Sequence, residues 1–392
     1  MRTPLFSRAK RWVSLAAGML LSSVLLAACG ENAPSTLDTH GFVANSEGVV
    51  FWAILIIATI VFVGVEGALI YSIFRYRERP GAPRPRQIHG NLKIEIVWTV
   101  IPMVILFVVL FFTIRGLFEV APQAEPKTGQ VVRVEAVGHQ WWWEFYYEDY
   151  KFTTADTMHI PAGATIHVDL YTNNVIHSFW VPQLTGKTDL IPGHKNTKWF
   201  NADPTAVGKT FTGICAEYCG TQHGNMRFTV VVDDQNSFQT WVSAQQQAAV
   251  TPAAGSLAEQ GAKLFANQCA SCHGIVGVNM KPNANGAGQF GYIDPAQSCD
   301  DPKAQCLVGP DLTHFGSRNL IAGGVLESTN NVAWKDDPKC KPDNPNLFQE
   351  CNLAKWLKDP EGVKPGNDMA GATASLTNDQ IRQLVAYLES LT

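Results

Sequence analysis

Apolar residues come in three long runs before any alternation begins. The first spans residues 12–28. It follows a basic start (Arg2, Arg8, Lys10, Arg11) and ends in small residues, the layout of an export signal, so residues 1–28 are expected to be a signal peptide. The next two runs, residues 49–74 and 96–117, are each long enough to cross a bilayer as a helix. They predict a two-helix transmembrane hairpin within residues 45–120. Between them stand Arg75, Arg77, Arg79, Arg84 and Arg86 among prolines, which assigns this loop to the cytoplasm and both outer ends to the exterior. From about residue 128 the period shortens. Val131-Val132-Arg133-Val134-Glu135, Thr165-Ile166-His167-Val168-Asp169-Leu170 and residues 227–232 read as short strands between turn residues. A β-sandwich or barrel outside the membrane is predicted over residues 128–240. A Gln/Ala-rich linker follows at residues 241–255. Helical spacing returns at residues 258–265 and 378–391, the latter with Thr377 as a candidate N-cap, in a last domain spanning residues 256–392.

Length and composition add three constraints. At 392 residues the chain exceeds one ordinary core, which makes it multidomain. Its formal net charge of −4 gives no argument for nucleic acid, and none is expected as a partner; the membrane is. The cysteines sort by spacing. Leu26-Ala27-Ala28-Cys29-Gly30 resembles the bacterial lipoprotein processing box, in which Cys29 would become the lipidated N-terminus. Cys299, Cys306, Cys340 and Cys351 are an even set in an exported region, and local pairing, 299 with 306 and 340 with 351, is expected.

The densest chemistry lies in Cys215-Ala216-Glu217-Tyr218-Cys219-Gly220-Thr221-Gln222-His223-Gly224-Asn225-Met226. Two thiolates four residues apart, an imidazole and a thioether on one loop suit copper. A mononuclear blue-copper site uses one Cys. Two thiolates can bridge a pair of copper ions, each of which also needs a terminal His. His177 is placed to be the second. Zinc and a Cys215–Cys219 disulfide are the rivals, although zinc has no use for Met226 and a disulfide none for the histidines. Further on, Cys269-Ala270-Ser271-Cys272-His273 is the covalent c-type haem signature, with His273 as proximal iron ligand. For the opposite side of the iron, Met369 competes with Met280 and His314.

Gly138-His139-Gln140-Trp141-Trp142-Trp143, the His177 segment, Lys187-Thr188-Asp189-Leu190-Ile191-Pro192-Gly193 and the Cys215–Met226 loop together resemble cytochrome c oxidase subunit II. The resemblance implies a cupredoxin-like sandwich. It also implies copper ligands at His177, Cys215, Cys219, His223, Met226 and the Glu217 carbonyl. The Glu217 side chain would reach a magnesium shared with subunit I, and Trp141 would be the surface at which electrons arrive from a haem. Glu95, in Glu95-Ile96-Val97-Trp98-Thr99, resembles the family's carboxylate at the mouth of a proton path. The C-terminal segment resembles an all-α class I cytochrome c, whose axial Met corresponds to Met369 in Lys364-Pro365-Gly366-Asn367-Asp368-Met369. A chain so built would belong to a proton-pumping oxidase in a bacterial inner membrane, with subunit I, other oxidase subunits and an external donor such as cytochrome c as partners. The matching subunit of a copper-containing nitric oxide reductase is the alternative. The family's acidic residues before the upstream copper His are Asn173 and Asn174 here. Internal electron transfer is therefore expected to be nearly independent of ionic strength.

Overall fold

Two helices dominate the N-terminal part of the computed structural model, which describes residues 18, 34–77, 80–81, 87, 90–172, 174–280 and 309–392. Cys29, most of the signal peptide, Arg79, Arg84, Arg86, Asn173, Cys299 and Cys306 lie outside the described residues. Residues 1–35 form one unit and Thr36–Thr392 a second, which contains both long helices, the sheets and the C-terminal helices.

Helix α1 (Phe42–Arg75) and helix α2 (Leu92–Val120) carry the two apolar runs, with side chains such as Ile60, Phe62 and Leu106 exposed along their length. No water-soluble helix leaves such a stripe uncovered, so lipid or other subunits must cover it. At 34 residues and ~1.5 Å per residue, α1 outruns the roughly 30 Å hydrocarbon core. Part of the surplus lies at its N-terminal end, where Val43, Ala44 and Ser46 are buried and Val43 joins the core of the following domain. Phe42 stacks on Trp199 at 5.8 Å, and the Trp199 indole Nε1 donates to Ala121 O, just past the end of α2, at 3.0 Å. Both outer helix ends are therefore fastened to one body.

That body is a sandwich of two five-stranded sheets. One is ordered β3 (Phe152–Ala155), β2 (Trp142–Tyr147), β1 (Val131–His139), β5 (Thr165–Thr172), β8 (Asn196–Phe200). The other is ordered β4 (Thr157–Pro161), β10 (Arg227–Asp233), β9 (Thr210–Cys215), β6 (His177–Trp180), β7 (Thr188–Leu190). Strand β1 is parallel to β5, and β4 to β10. The strands that position the sites are β1, β2, β6, β9 and β10. Period-two burial along β10 turns Phe228, Val230 and Val232 inward. Trp143, Phe179 and Phe228 meet edge-on or stacked between the sheets, with centroids 4.9–5.8 Å apart. The architecture is the expected cupredoxin-like sandwich.

Helix α3 (Gln235–Gln245) starts at Asp234, whose carboxylate caps Asn236 and Ser237, and it buries Phe238 and Val242 on the sandwich. The predicted linker therefore opens inside a helix: Phe238, Trp241 and Val242 share one face, and Trp241 stacks on His159 at 4.4 Å. Beyond it, α4 (Leu257–Gln268) and α6 (Asn378–Ser390) pack on each other, with α5 (Asn352–Lys358) beside α6. Thr377 caps α6 in a full capping box with Gln380. Among the described residues the domain is all-α apart from a minimal hairpin, β11 (Leu320–Ile321) with β12 (Leu326–Glu327), turned by Ala322, Gly323 and Gly324 at positive φ. Cys340 and Cys351 are joined by a disulfide, as local pairing predicted.

Candidate redox sites

Strands β9 and β6, paired antiparallel, bring Cys215 opposite Phe179, two residues past His177. The loop from Cys215 to Met226 then folds back over this edge, closed by Cys215 N donating to Met226 O at 3.0 Å. The ligand atoms of His177, Cys215 and Cys219 lie within 4.8 Å of one another. Cys215 Sγ stands 3.7 Å from Cys219 Sγ and 3.8 Å from His177 Nδ1; Cys219 Sγ stands 3.6 Å from His223 Nδ1 and 3.8 Å from Met226 Sδ. The Glu217 carbonyl is 3.3 Å from Cys215 Sγ, while Glu217 as a residue is exposed. The two thiols are unbonded. Metal–ligand bonds of ~2.0–2.3 Å set neighbouring ligands roughly 3.5 Å apart, so the donor set fits metal ions between these atoms. The hydrogen bond between the two sulfurs, and then His177, lowers the Cys215 thiol, while the same bond raises Cys219, so the pair shares one proton. Asn174 Oδ1 sits 3.0 Å from His177 Nε2, which leaves Nδ1 turned toward the sulfurs.

Trp141, half-buried, continues from this site. Its indole Nε1 donates to the Cys219 carbonyl at 3.0 Å, and Gln140 Nε2 donates to the same oxygen at 2.8 Å. On its other side Trp141 lines a cavity whose far walls carry Cys269, Cys272, His273 and Met369. Neither Met280 nor His314 lines it; His314 Nε2 instead donates to the Gln245 carbonyl at 3.1 Å. His273 Nδ1 donates to Pro310 O at 2.9 Å, which leaves Nε2 free for a metal. A Cβ on Gly309 would lie 2.6 Å from the His273 ring, so only glycine lets the loop cradle this imidazole. Two unbonded thiols, an oriented imidazole and a thioether around an apolar hollow fit a covalent haem.

Between the two sites lie groups that the sequence did not single out. His139 stacks on Trp142 at 4.2 Å and meets buried Glu144 at 2.9 Å. Burial lowers His139 to about 3 and raises Glu144, so the pair is held neutral. Burial also raises Asp156 to about 6 and lowers Lys364 to about 8. Asp156 is distant in sequence from every motif. His139 stands in the Gly138–Trp143 segment and Lys364 begins the segment that ends in Met369, but neither position in its motif points to a role.

Glu95 stands in the first turn of α2 and accepts the Asn91 N–H at 3.3 Å, so its carboxylate also caps the helix.

Comparison with known proteins follows the same divisions. The profile for the cytochrome c oxidase subunit II transmembrane domain matches residues 45–115, the one for its periplasmic domain residues 151–233, and cytochrome c residues 258–392. Cytochrome c oxidase subunit 2 of Alkalihalophilus pseudofirmus is 32% identical over 99% of this chain and 98% of its own length. The protein of that name from Bacillus sp. (strain PS3) is 33% identical over 95% of each. The periplasmic domain of subunit II of cytochrome oxidase from Bradyrhizobium japonicum is 30% identical and covers 31% of this chain and 96% of its own, with a TM-score of 0.29. The chain belongs to the cytochrome c oxidase subunit 2 family, as a member with a cytochrome c domain fused at its C-terminus, and is a membrane-anchored part of an oxidase complex that serves in electron transfer.

Proposed function

We propose that the chain carries electrons singly from an external donor to a covalent haem c, through a binuclear copper centre, and on to subunit I. There oxygen is reduced and protons are pumped. The observation that carries this reading is the position of Trp141: one edge donates to the carbonyl of Cys219, and the ring forms a wall of the cavity shared by Cys269, Cys272, His273 and Met369. His177, Cys215, Cys219, His223, Met226 and the Glu217 carbonyl would hold the copper pair. Cys269 and Cys272 would carry the haem, and His273 and Met369 would hold its iron. Copper and haem, when bound, supply one-electron carriers; the protein orients them and keeps water out. Cys215, Cys219 and Met226 are 6%, 2% and 0% exposed, so the ligands are held in place by packing. The exposed Glu217 is free to reach a magnesium shared with subunit I. Glu95 would collect protons at the inner face. Cys29 would be lipidated after removal of residues 1–28, and the anchor would lie in a bacterial inner membrane.

The test is Cys219→Ser in the assembled oxidase. Copper should be lost and cytochrome c oxidation should stop, while haem c stays attached. One zinc and no copper in the wild-type protein would overturn the copper assignment.

A further inference from the structure

We propose that Lys364 is a positioning residue that fixes the haem-bearing domain in one register on the copper-binding domain, with Trp141 between the two sites. The inference rests on the electron route proposed above. It adds a residue to that route and a reason for its geometry.

Lys364 is 3% exposed, which is uncommon for an ammonium side chain. Its Nζ donates to Trp141 O at 2.5 Å, to Ala322 O at 2.7 Å and to Asn225 O at 3.4 Å. Those oxygens come from separate places: the turn that bears Trp141, the β11–β12 hairpin, and the residue before Met226 on the copper loop. Lys364 itself begins the loop that ends in Met369. One cation therefore ties segments next to each candidate redox site.

Backbone contacts around it repeat the register. Arg227 N donates to Gly323 O at 2.9 Å, and Gly323 N donates to Asp156 Oδ2 at 3.2 Å. Asp156 Oδ1 accepts from Trp143 N at 2.9 Å. Gln222 Nε2, on the copper loop, donates to Pro365 O at 2.9 Å. Gly323 is at φ +68, and a Cβ there would overlap both Trp141 O and Lys364 Nζ. Only glycine permits this approach.

Dehydration decides what the contact is for. Burial lowers the Lys364 amine and raises the Asp156 carboxyl, so attraction between them returns less than desolvation takes. Such a cation adds little affinity. It penalises every other docking arrangement, because a shifted domain would leave the ammonium buried without acceptors. A buried cation bonded to carbonyls is also poorly screened by salt, in accord with the expected ionic-strength independence.

The experiment uses the assembled oxidase carrying Lys364→Met, Gly323→Ala or Trp141→Phe. Transfer from haem c to copper and reduction of haem c by the external donor are timed separately, and haem and copper absorption are recorded. In Lys364→Met, internal transfer should slow several-fold and lose its single phase, since a contact with more than one register gives more than one transfer distance. Turnover kcat should fall with the donor KM, the haem c reduction rate and both absorption spectra unchanged. Gly323→Ala should repeat this through the opposite face of the contact, and it decides the matter if Lys364→Met does not fold. Internal transfer at the wild-type rate in a single phase in both variants overturns the proposal. If that result comes with slowing in Trp141→Phe, the route survives and the register role falls. Slowing in Lys364→Met with wild-type transfer in Trp141→Phe supports the register role and overturns passage by way of Trp141.

Discussion

The copper-site loop and the haem pocket reach completeness in opposite ways. The proposed copper ligands sit on a sandwich with an aromatic core of its own, and the donor atoms of His177, Cys215 and Cys219 lie within 4.8 Å of one another. The C-terminal domain instead leaves a hollow of about 180 Å³ against the sandwich, walled by Trp141 on one side and by short pieces such as α5 and the four-residue helix Ala370–Thr373 on the other. One site is imposed by the sheet; the other is a shape that its cofactor must fill. Stability and function should therefore separate cleanly between the domains.

Emptying the hollow is the strongest way to break that contrast. Cys269→Ala with Cys272→Ala prevents covalent attachment. At ~24 cal/mol per Å³ an unfilled cavity costs about 4 kcal/mol, against a domain stability of roughly 5–15 kcal/mol. Calorimetry should show the C-terminal transition broadened or lost, while the sandwich melts as before and still takes up copper. Two undisturbed transitions would mean that the helices hold the hollow open unaided.

Cutting the Cys340–Cys351 bond, which closes a loop of sequence separation 11, is a milder probe of the same domain. Replacing both cysteines with Ala should lower its stability by about 2–3 kcal/mol and leave the sandwich transition in place. An unchanged melting profile would show that the short helices α5 and Leu347–Glu350 are held by packing alone.

Met369→Leu should move stability least, under about 1.5 kcal/mol, because the volumes nearly match. Its effect is on the iron. Loss of the thioether should lower the haem potential and admit exogenous ligands, with copper spectra unchanged. A surviving near-infrared Met-to-iron band would assign the ligand elsewhere.

Most of this contrast was legible from residue patterns, for physical reasons that differ by region. Continuous apolar runs and strand alternation report solvent contact directly, so the helix pair and the sandwich could be read from them. Cys269-Ala270-Ser271-Cys272-His273 and the Cys215–Met226 loop were legible because covalent and metal chemistry constrains spacing along the chain. The docking contact was not. Asp156, Ala322 and Lys364 are far apart in sequence, and the bonds that join them run largely to backbone atoms, which every residue carries. The predicted linker was misjudged at its start for a related reason. Gln- and Ala-rich composition suits a tether, but Trp241 finds His159 on the sandwich, and Gln246 Nε2 donates to Tyr150 O at 2.9 Å.

The shared wall at Trp141 also bears on timing. Electrons reach an oxidase from colliding donors one by one, at irregular intervals, whereas dioxygen must be reduced without pausing at reactive partial products. On the proposed reading, two one-electron stores rest against each other in a single polypeptide, and together they hold half of what one oxygen molecule consumes. The pair would act as a small reservoir upstream of the membrane, filled at the rhythm of collisions and emptied at the rhythm of catalysis. Because both stores are parts of one chain, its capacity would not depend on how many carriers the cell makes.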